Sequence, residues 1–386
     1  MRSLEEFVDE KLSRLEQAHL RRTPAITARA GIWAERDGRR LLSFSCNDYL
    51  NLSQHPNVIA AAIEATKRYG VGAGASRLVT GNHPLYAELE ARLARLKGTD
   101  AACVFGSGYL ANTGVIPALI GPDDLIVIDE LSHACIQAGA KLSGAAIHHY
   151  RHTDVAHAEA ILAAHRSKKK RALIATDGVF SMDGDLAPLA ALARLAQRFD
   201  CWLLSDDAHG LGVVGGGRGS TYVDGRLQMP VEVPLQIGTL SKAVGAYGGY
   251  LCASRAVVDL ICTRARTFIY STGLPPAIVA AAIAALDVIE GDRTYVDKPL
   301  RKAKLFTRAL NLPDAESAIV PVIVGASDDA LTASNFLRDK GFLVVAIRPP
   351  TVPTGTARLR FAFTARHEDG DIARLAKLVR THVLRH

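Results

Sequence analysis

Two stretches decide the fold: residues 201–210, CWLLSDDAHG, and residues 233–249, VPLQIGTLSKAVGAYGG. In each, an apolar run typical of a buried strand leads into residues with chemical function. The first run ends with Asp206 and, three residues later, His209. The second is followed by Lys242, among small residues that leave its side chain accessible. Because ligands of parallel sheets bind at the carboxyl ends of strands, we expect both stretches at one such edge.

Lys242 and Asp206 together suggest a site for pyridoxal phosphate (PLP). A lysine that forms a Schiff base needs access to a carbonyl and surroundings that lower the pKa of its ammonium. A carboxylate at a strand end can meet the pyridinium nitrogen of this cofactor. Taken singly, a lysine beside glycines is more often a surface turn, and an Asp-x-x-His is more often a solvated loop. The residues alone leave both interpretations open.

Apolar strands alternate with helical stretches through the middle of the chain. The predicted strands are residues 101–105, 125–129, 145–150, 172–179, 201–206, 235–239 and 249–253. This alternation is typical of an α/β fold with a mostly parallel sheet sandwiched by helices. Near residue 275 the pattern changes to alanine-rich helices and a smaller α/β region. We therefore predict an N-terminal helix and extended segment (1–45), a large cofactor-binding domain (46–275) and a small C-terminal domain (276–386).

The composition limits the classes of function. The 386 residues are 48% hydrophobic, 22% charged and 6% aromatic, with a net charge of +7. Six scattered cysteines without a Cys-x-x-Cys pair favour reduced thiols in the cytoplasm. We expect no membrane span, because no apolar run is long enough, and no nucleic-acid partner, because no basic stripe carries interleaved aromatics. The basic excess suits acidic small molecules or an acidic carrier protein.

Histidines and a glycine-rich turn supply further candidates. Residues 106–110, GSGYL, follow a predicted strand and begin a helix, whose free N–H groups can bind phosphate. The alternative is that the glycines are needed only for the geometry of the turn. His133 can stack on a planar cofactor, or it can be a helix-start histidine without a function. His148, His149 and His152 have a spacing that fits no common metal site, so we interpret them as a polar strand end.

The C-terminal region holds the candidate carboxylate-binding arginines. Residues 346–353, AIRPPTVP, are rigid and extended because prolines fix φ and restrict their neighbours. Strand alternation places Arg358 and Arg360 on one face. An arginine fork suits a carboxylate. For Arg358 we predict a solvated arginine on an edge strand.

Several motifs together resemble the α-oxoamine synthase family of PLP enzymes. They are residues 45–50 (SCNDYL), 177–185 (DGVFSMDGD), 346–353 and the two opening stretches. The resemblance covers nearly the whole chain and implies a fold-type I PLP-dependent transferase. It also implies a homodimer with its sites at the subunit interface. The chain departs from the family at Asn51, where glycine is usual, and at Ser241, where many members have glycine.

The resemblance implies a role for each matching residue. Lys242 forms the Schiff base and moves protons at the substrate α-carbon. Asp206 pairs with the ring nitrogen, His209 with the ring oxygen beside Ser181, and His133 stacks on the ring. The phosphate is expected at Ser107, Gly108, Tyr109 and Thr239, and at Ser271 and Thr272 of a neighbouring subunit. The substrates are expected at Arg21, Asn47, His133, Arg348, Thr351 and Arg360, and Arg22 can exchange roles with Arg21.

The closest branch of the family belongs to biotin biosynthesis. It implies decarboxylative condensation of L-alanine with a pimeloyl thioester, carried by coenzyme A or an acyl carrier protein, with release of carbon dioxide and the free thiol carrier. The alternatives are another α-oxoamine synthase of the glycine C-acetyltransferase type, and an aminotransferase or β-eliminating lyase on the same scaffold. A catalytically idle homologue is a further alternative.

Overall fold

The computed structural model of the chain describes residues 3–17, 20–223 and 230–384. The strands are β1 (Ala28–Ala30), β2 (Trp33–Arg36), β3 (Arg39–Ser43), β4 (Ala101–Phe105), β5 (Leu125–Asp129), β6 (Ala146–Tyr150), β7 (Ala172–Asp177), β8 (Trp202–Asp206), β9 (Leu235–Thr239), β10 (Gly249–Ala253), β11 (Ile319–Gly325), β12 (Phe342–Leu343), β13 (Val345–Ile347) and β14 (Ala357–Ala362). The helices are α1 (Leu4–Gln17), α2 (Pro56–Tyr69), α3 (Leu85–Lys97), α4 (Gly108–Leu119), α5 (Ala134–Ser143), α6 (Val155–His165), α7 (Leu189–Arg198), α8 (Arg255–Arg264), α9 (Arg266–Ile269), α10 (Pro276–Gly291), α11 (Arg293–Val296), α12 (Lys298–Ala309), α13 (Ser327–Asp339) and α14 (Asp369–His382).

A seven-stranded sheet forms the centre, in the order β4-β10-β9-β8-β7-β5-β6. Only β10 runs antiparallel to its neighbours, so the other strands share one direction. Strands β4, β5, β7, β9 and β10 are buried along their whole length. Burial on both faces explains why they appear in the sequence as continuous apolar runs. The predicted α/β fold class is confirmed.

Helices cover both faces of this sheet. One face packs on α4, α5 and α8, and the other packs on α3 and α10. Helix α10 buries Val279, Leu286 and Ile289 in the hydrophobic core on the face that it shares with α3, and it also lies against α2. The proposed division of the chain into residues 1–45, 46–275 and 276–386 stays a prediction. Within the described ranges, no helix has the length and apolarity needed to cross a bilayer.

The C-terminal part forms a second, smaller sheet with the order β11-β14-β13. The N-terminal strands join this part of the molecule, because β3 pairs in parallel with β12. An aromatic cluster fills the core between them and includes Phe44, Phe306 and Phe361, all fully buried. Residues from the two ends of the chain therefore pack together.

The structure corrects the prediction for Arg358. This residue lies in β14, which is the middle strand of its sheet and not an edge. Its side chain is 4% exposed and forms an ion pair with Asp183. The prediction was wrong because the strand that covers β14 on one side, β13, is only three residues long and carries little sequence signal.

The backbone conformation of Asn51 explains why asparagine can stand at a position where the family usually has glycine. Its φ of 54° and ψ of 31° lie in the left-handed region. Asparagine enters this region more readily than other residues with a side chain. Its side-chain oxygen also accepts a hydrogen bond from the Arg366 amide at 3.2 Å. The departure from the family pattern is therefore compatible with the same turn.

A buried ion pair fixes the segment that follows β8. The Nζ atom of Lys97 lies 2.6 Å from Oδ2 of Asp207, with side-chain exposures of 0% and 1%. Lys97 also donates to the carbonyl of Arg218 at 2.8 Å. We expect Lys97→Met to lower the free energy of unfolding of the apoprotein by about 3–5 kcal/mol, because Asp207 keeps a buried, unpaired charge. Denaturant unfolding measures this change.

The matched control is Lys67→Met. Lys67 pairs with Glu64 at the surface, where both side chains are about 70% exposed (68% and 71%). Exposed pairs contribute little, so we expect a change below about 1 kcal/mol. Equal losses in the two variants would contradict the assignment of the buried pair as a structural anchor.

Candidate active site

A cavity of about 210 Å³ opens at the carboxyl edge of the central sheet. Its lining includes the two residue types that first suggested a cofactor, a lysine and a carboxylate. The lining residues are Ser107, Gly108, Tyr109, His133, Cys135, Asp177, Asp206, Ala208, His209, Thr239, Ser241 and Lys242. Residues separated by more than a hundred positions in the sequence therefore meet at one site.

The turn between β4 and α4 forms one wall of this cavity. Ser107 caps α4, its hydroxyl accepting from the Leu110 amide at 3.1 Å. The first amide groups of a helix have no partner within the helix, so those of α4 are available to an anion. The turn needs glycine in the neighbouring strand, because a Cβ on Gly249 would lie 2.3 Å from the carbonyl carbon of Ser107.

Asp206 enters the cavity from the end of β8 with its carboxylate held on several sides. Asn112 donates to Oδ2 at 2.6 Å, and the Ala208 amide donates to Oδ1 at 3.0 Å. Asp177 stands beside it, at the equivalent position of the adjacent parallel strand β7. Burial and the nearby charge of Asp206 raise the pKa of Asp177 well above its ordinary value. The surroundings of Asp177 therefore favour its protonated form.

Lys242 lies in the loop after β9, and its amine contacts a histidine. Its Nζ atom is 2.7 Å from Nε2 of His209. Burial lowers the pKa of Lys242 to about 8, against the opposing effect of Asp206 and Asp177. Burial, followed by the charges of Lys242 and Arg360, lowers the pKa of His209 well below its ordinary value. A neutral amine is thus accessible close to neutral pH, and His209 stays uncharged.

His133 stands at the start of α5, where the cavity meets a larger one. Its amide donates to Asp177 at 2.8 Å, and its ring accepts from the Cys135 amide at 3.2 Å. Burial lowers the pKa of His133, against the opposing effect of Asp206. The structure places this histidine in the site, while its stacking role stays a prediction.

Arg360 reaches the same region from β14. Its guanidinium donates to the carbonyl of Ser181 at 2.6 Å, to Oδ1 of Asn47 at 3.1 Å and to the hydroxyl of Tyr49 at 3.3 Å. The side chain is 7% exposed. The predicted pair of Asn47 and Arg360 is therefore brought together, and a fixed, buried fork is suited to a carboxylate.

A second cavity of about 860 Å³ adjoins the first at His133. Ser181 and Thr351 line it, together with apolar side chains that include Met182 and Val352. Arg22 also lines it and donates to the Thr351 hydroxyl at 3.0 Å. The walls combine apolar side chains with the cations Arg22 and Lys141 and the acids Glu130 and Asp183, a mixture that suits an acyl chain on a polar carrier.

The two neighbouring arginines, Arg21 and Arg22, have different contacts. Arg21 pairs with Glu16 at 2.9 Å, where both side chains are exposed. Arg21, Arg22 and Arg348 line a third cavity of about 320 Å³. Arg22 contacts Thr351, and the assignment of either arginine to the substrate stays a prediction.

Ser271 and Thr272 do not line the cavity that contains Lys242. They border a small cleft beside Arg77, and Thr272 forms a β-bridge with Ser76. Their predicted contact with the phosphate therefore requires a second subunit and stays a prediction.

Sequence reasoning missed four residues at the site: Tyr49, Asn112, Cys135 and Asp177. Asp177 carried a usable signal, because it lies two residues before the end of the predicted strand 172–179 and is the last residue of the observed strand β7. Tyr49 lay in a quoted motif without a role. Asn112 and Cys135 lie inside helices, and nothing in their spacing distinguishes them from core residues.

His152 has a more specific environment than the predicted polar strand end. Its Nδ1 lies 3.0 Å from Asp129 and its Nε2 lies 2.8 Å from Asp185. Among the residues that the structure describes, no group of three or more His, Cys, Asp or Glu side chains is arranged to hold a metal ion. Burial lowers the pKa of His152, but the two carboxylates outweigh it and raise the pKa to about 10.

A raised pKa of His152 makes stability depend on pH. The stabilisation is complete below the pKa of the unfolded chain, about 6.5, and is lost as pH rises through about 10. We expect the unfolding free energy of wild type to exceed that of His152→Gln by the largest amount at acid pH. This gap in unfolding free energy should close at alkaline pH. Urea unfolding across this range measures the gap, with His165→Gln as the control. A gap that widens with pH would contradict the charged form of His152.

The comparisons with known proteins agree with this geometry. Residues 39–379 match the family model described as aminotransferase class I and II. An 8-amino-7-oxononanoate synthase from Methylocella silvestris is 67% identical over 345 residues, covering 89% of this chain and 97% of that protein. The chain belongs to the 8-amino-7-oxononanoate synthase family.

Solved structures with the same fold include enzymes with different names. A serine palmitoyltransferase from S. paucimobilis has a TM-score of 0.91 at 27% identity, covering 98% of both chains. An 8-amino-7-oxononanoate synthase from Francisella tularensis has a TM-score of 0.76 at 26% identity, covering 89% of this chain and 98% of that one. The 8-amino-7-oxononanoate synthases thus share their fold with serine palmitoyltransferase, and the family of this chain is shown by its 67% identity to the Methylocella silvestris synthase.

The cavity of this synthase family member fits PLP. Lys242 supplies an amine, Asp206 a buried carboxylate and the start of α4 an anion site, all on one lining. The aromatic ring of His133 lies on the same lining. These are the protein partners that PLP requires.

Proposed function

We propose that the chain condenses L-alanine with a pimeloyl thioester and releases carbon dioxide, giving 8-amino-7-oxononanoate and the free thiol carrier. The observation that carries this proposal is the 67% identity to the Methylocella silvestris synthase. The likeness to serine palmitoyltransferase supports the same scaffold and cofactor, but its 27% identity leaves the substrate open.

PLP, when bound, supplies a conjugated electron sink for the bond that breaks at the substrate α-carbon. The residues proposed to hold it are Lys242 at the aldehyde, Asp206 at the ring nitrogen, His209 at the ring oxygen, and Ser107 with Gly108 at the phosphate. His133, Tyr109, Thr239 and Ser181 complete this proposed set. Because Asn112 and Ala208 hold the Asp206 carboxylate in place, it meets the ring nitrogen without reorganisation.

Lys242 is proposed to act as the general base and acid. Its Nζ atom takes the proton from Cα of alanine and returns one to the same carbon after carbon dioxide has left. A pKa near 8 suits both steps, because the base form is populated and the acid form still donates.

Arg360 and Asn47 are proposed to orient the amino acid. The buried guanidinium is already held by Ser181 and Asn47, so a carboxylate meets a fixed donor. The acyl donor is proposed to occupy the larger cavity, with its polar groups near Thr351, Arg22 or Arg21, and Arg348.

We propose a homodimer as the working unit. Its support is a set of exposed apolar side chains close to Ser271 and Thr272. They are Val71, Leu78, Val79, Tyr109 and Tyr270, between 52% and 81% exposed. A cytoplasmic location is proposed from the six free cysteines. Light scattering tests the dimer.

The proposed reaction is tested with the holoprotein, L-alanine and the acyl donor on either carrier. We expect equal amounts of carbon dioxide, free thiol carrier and 8-amino-7-oxononanoate. Pyruvate formation without thiol release would instead identify an aminotransferase. Turnover of glycine with acetyl coenzyme A in preference to alanine would identify a different α-oxoamine synthase. A comparison of pimeloyl coenzyme A with the pimeloyl acyl carrier protein identifies the carrier.

A further inference from the structure

Four side chains form a hydrogen-bonded chain behind the candidate catalytic lysine. Lys242 contacts Nε2 of His209 at 2.7 Å, and Nδ1 of His209 contacts the hydroxyl of Tyr49 at 2.7 Å. The Tyr49 hydroxyl lies 3.2 Å from Oδ1 of Asn47 and accepts from Arg360 at 3.3 Å. Tyr49 is fully buried and His209 is 5% exposed. The hydrogens of His209 and Tyr49 must therefore find their acceptors within this chain.

Counting hydrogens gives one arrangement when Lys242 is an ammonium. An ammonium only donates, so Nε2 of His209 must accept. A neutral imidazole has one N–H, which then lies on Nδ1 and donates to the Tyr49 oxygen. The Tyr49 hydroxyl in turn donates to Oδ1 of Asn47, which already accepts from Arg360 at 3.1 Å. In this arrangement the hydrogen on His209 and the hydrogen on Tyr49 each have an acceptor.

The arrangement can reverse when Lys242 is a free amine. The amine then has a lone pair, and His209 can donate to it from Nε2. Nδ1 becomes an acceptor, and the Tyr49 hydroxyl turns from Asn47 to donate to it. Each state holds one hydrogen on His209 and one on Tyr49, and only their positions differ. Tyr49 is the side chain whose hydroxyl completes both states.

We propose that Tyr49 is a positioning residue that, through His209, supports both protonation states of Lys242. The inference rests on the proposed function for its kinetic consequences, because a lysine that takes and returns a proton must pass through both states. The placement of the hydrogens does not rest on it and is measured in the apoprotein.

Other charged and titratable groups also face this chain. Asp206, Asp177, Arg360 and Cys135 face Lys242. His133, Arg360 and Lys242 face His209. None of these groups touches Nδ1 of His209 within the described residues, where Tyr49 is the contact. Loss of the Tyr49 hydroxyl therefore removes its contacts with His209, Asn47 and Arg360 and leaves the surrounding charges in place.

The test uses Tyr49→Phe, which keeps the ring and removes the hydroxyl. When Lys242 is an ammonium, the variant leaves the Nδ1 hydrogen of His209 buried without an acceptor. When Lys242 is an amine, His209 can adopt either tautomer. The ammonium is thus disfavoured. We expect the apparent pKa of Lys242 to fall by about one unit, measured from the pH dependence of PLP uptake by the apoprotein.

Nitrogen-15 NMR of histidine-labelled apoprotein tests the hydrogen positions directly. In wild type we expect the His209 hydrogen on Nδ1 below the pKa of Lys242 and on Nε2 above it, with His209→Gln identifying the signal. The matched control is Tyr250→Phe, whose hydroxyl is buried and has no hydrogen-bond partner in the described part of the chain. It should leave the pKa of Lys242 unchanged.

The holoenzyme gives a second measurement. We expect Tyr49→Phe to lower kcat by about tenfold, as loss of an outer partner commonly does, with KM for the acyl donor unchanged. The proposal is overturned by a His209 tautomer that ignores pH, or by a pKa of Lys242 that stays or rises in Tyr49→Phe. A wild-type holoenzyme that makes no 8-amino-7-oxononanoate would overturn the proposed function, and the apoprotein measurements would still decide the role of Tyr49.

Discussion

Lys242→Ala is expected to lower kcat by at least about 10⁴-fold. The amine is the proposed anchor of the cofactor and the only proposed base at the substrate α-carbon, and loss of a positioned base alone costs up to about 10⁴-fold. Its neighbours are small residues, and Ala243 and Val244 are buried beside it, so a shorter side chain leaves the loop packed. Single-turnover measurement of carbon dioxide release checks the loss.

Borohydride reduction adds a readout that does not depend on turnover. Reduction of wild-type holoprotein should fix the cofactor on the peptide that contains Lys242, and Lys242→Ala should take no such label. Lys67→Ala is the control, because Lys67 is exposed on α2. A label that remains on the protein in Lys242→Ala would assign the anchor to another lysine.

Asp206→Asn is expected to lower kcat by roughly 10²–10³-fold, which is typical for removal of one preorganised electrostatic partner. The amide keeps the shape of the carboxylate but cannot hold a proton on the ring nitrogen. The binding of PLP should weaken less than kcat, because the phosphate and Schiff-base contacts remain. Steady-state kinetics at saturating PLP separates the two effects.

Asp177→Asn is the matched control for Asp206→Asn. Burial and the charge of Asp206 raise the pKa of Asp177, which favours its neutral acid form, and the amide of asparagine is neutral as well. We expect a loss of no more than about tenfold. Similar losses in both variants would mean that the negative charge is shared, and would contradict the assignment of the ring nitrogen to Asp206 alone.

The sequence was sufficient to predict the bounds of several strands that are buried on both faces of the sheet. Strands β4, β5, β9 and β10 begin and end at their predicted residues, because continuous apolar runs end sharply at functional loops. The cavity at the end of β8 followed from the same logic, since parallel strands bring their carboxyl ends together. Family resemblance then supplied roles that the residues alone left open.

The sequence was not sufficient where contacts depend on distant packing. The burial of Arg358 requires β13 on one side and β11 on the other, and its partner Asp183 is 175 residues away. The two carboxylates that contact His152 come from the end of β5 (Asp129) and from a loop after β7 (Asp185). No local spacing in the sequence predicts that they meet at one histidine. The choice between Arg21 and Arg22 depends on where an exposed segment meets Thr351.

The contact between Asn47 and Arg360 spans 313 positions of the chain, and it lies where the small sheet meets the site. During translation, a nascent polypeptide that has emerged only as far as α13 already has the lysine, the acid and the start of α4. It still lacks the Arg360 guanidinium, which is proposed to orient the amino acid. Catalytic competence is therefore expected late in synthesis, once β14 has left the ribosome.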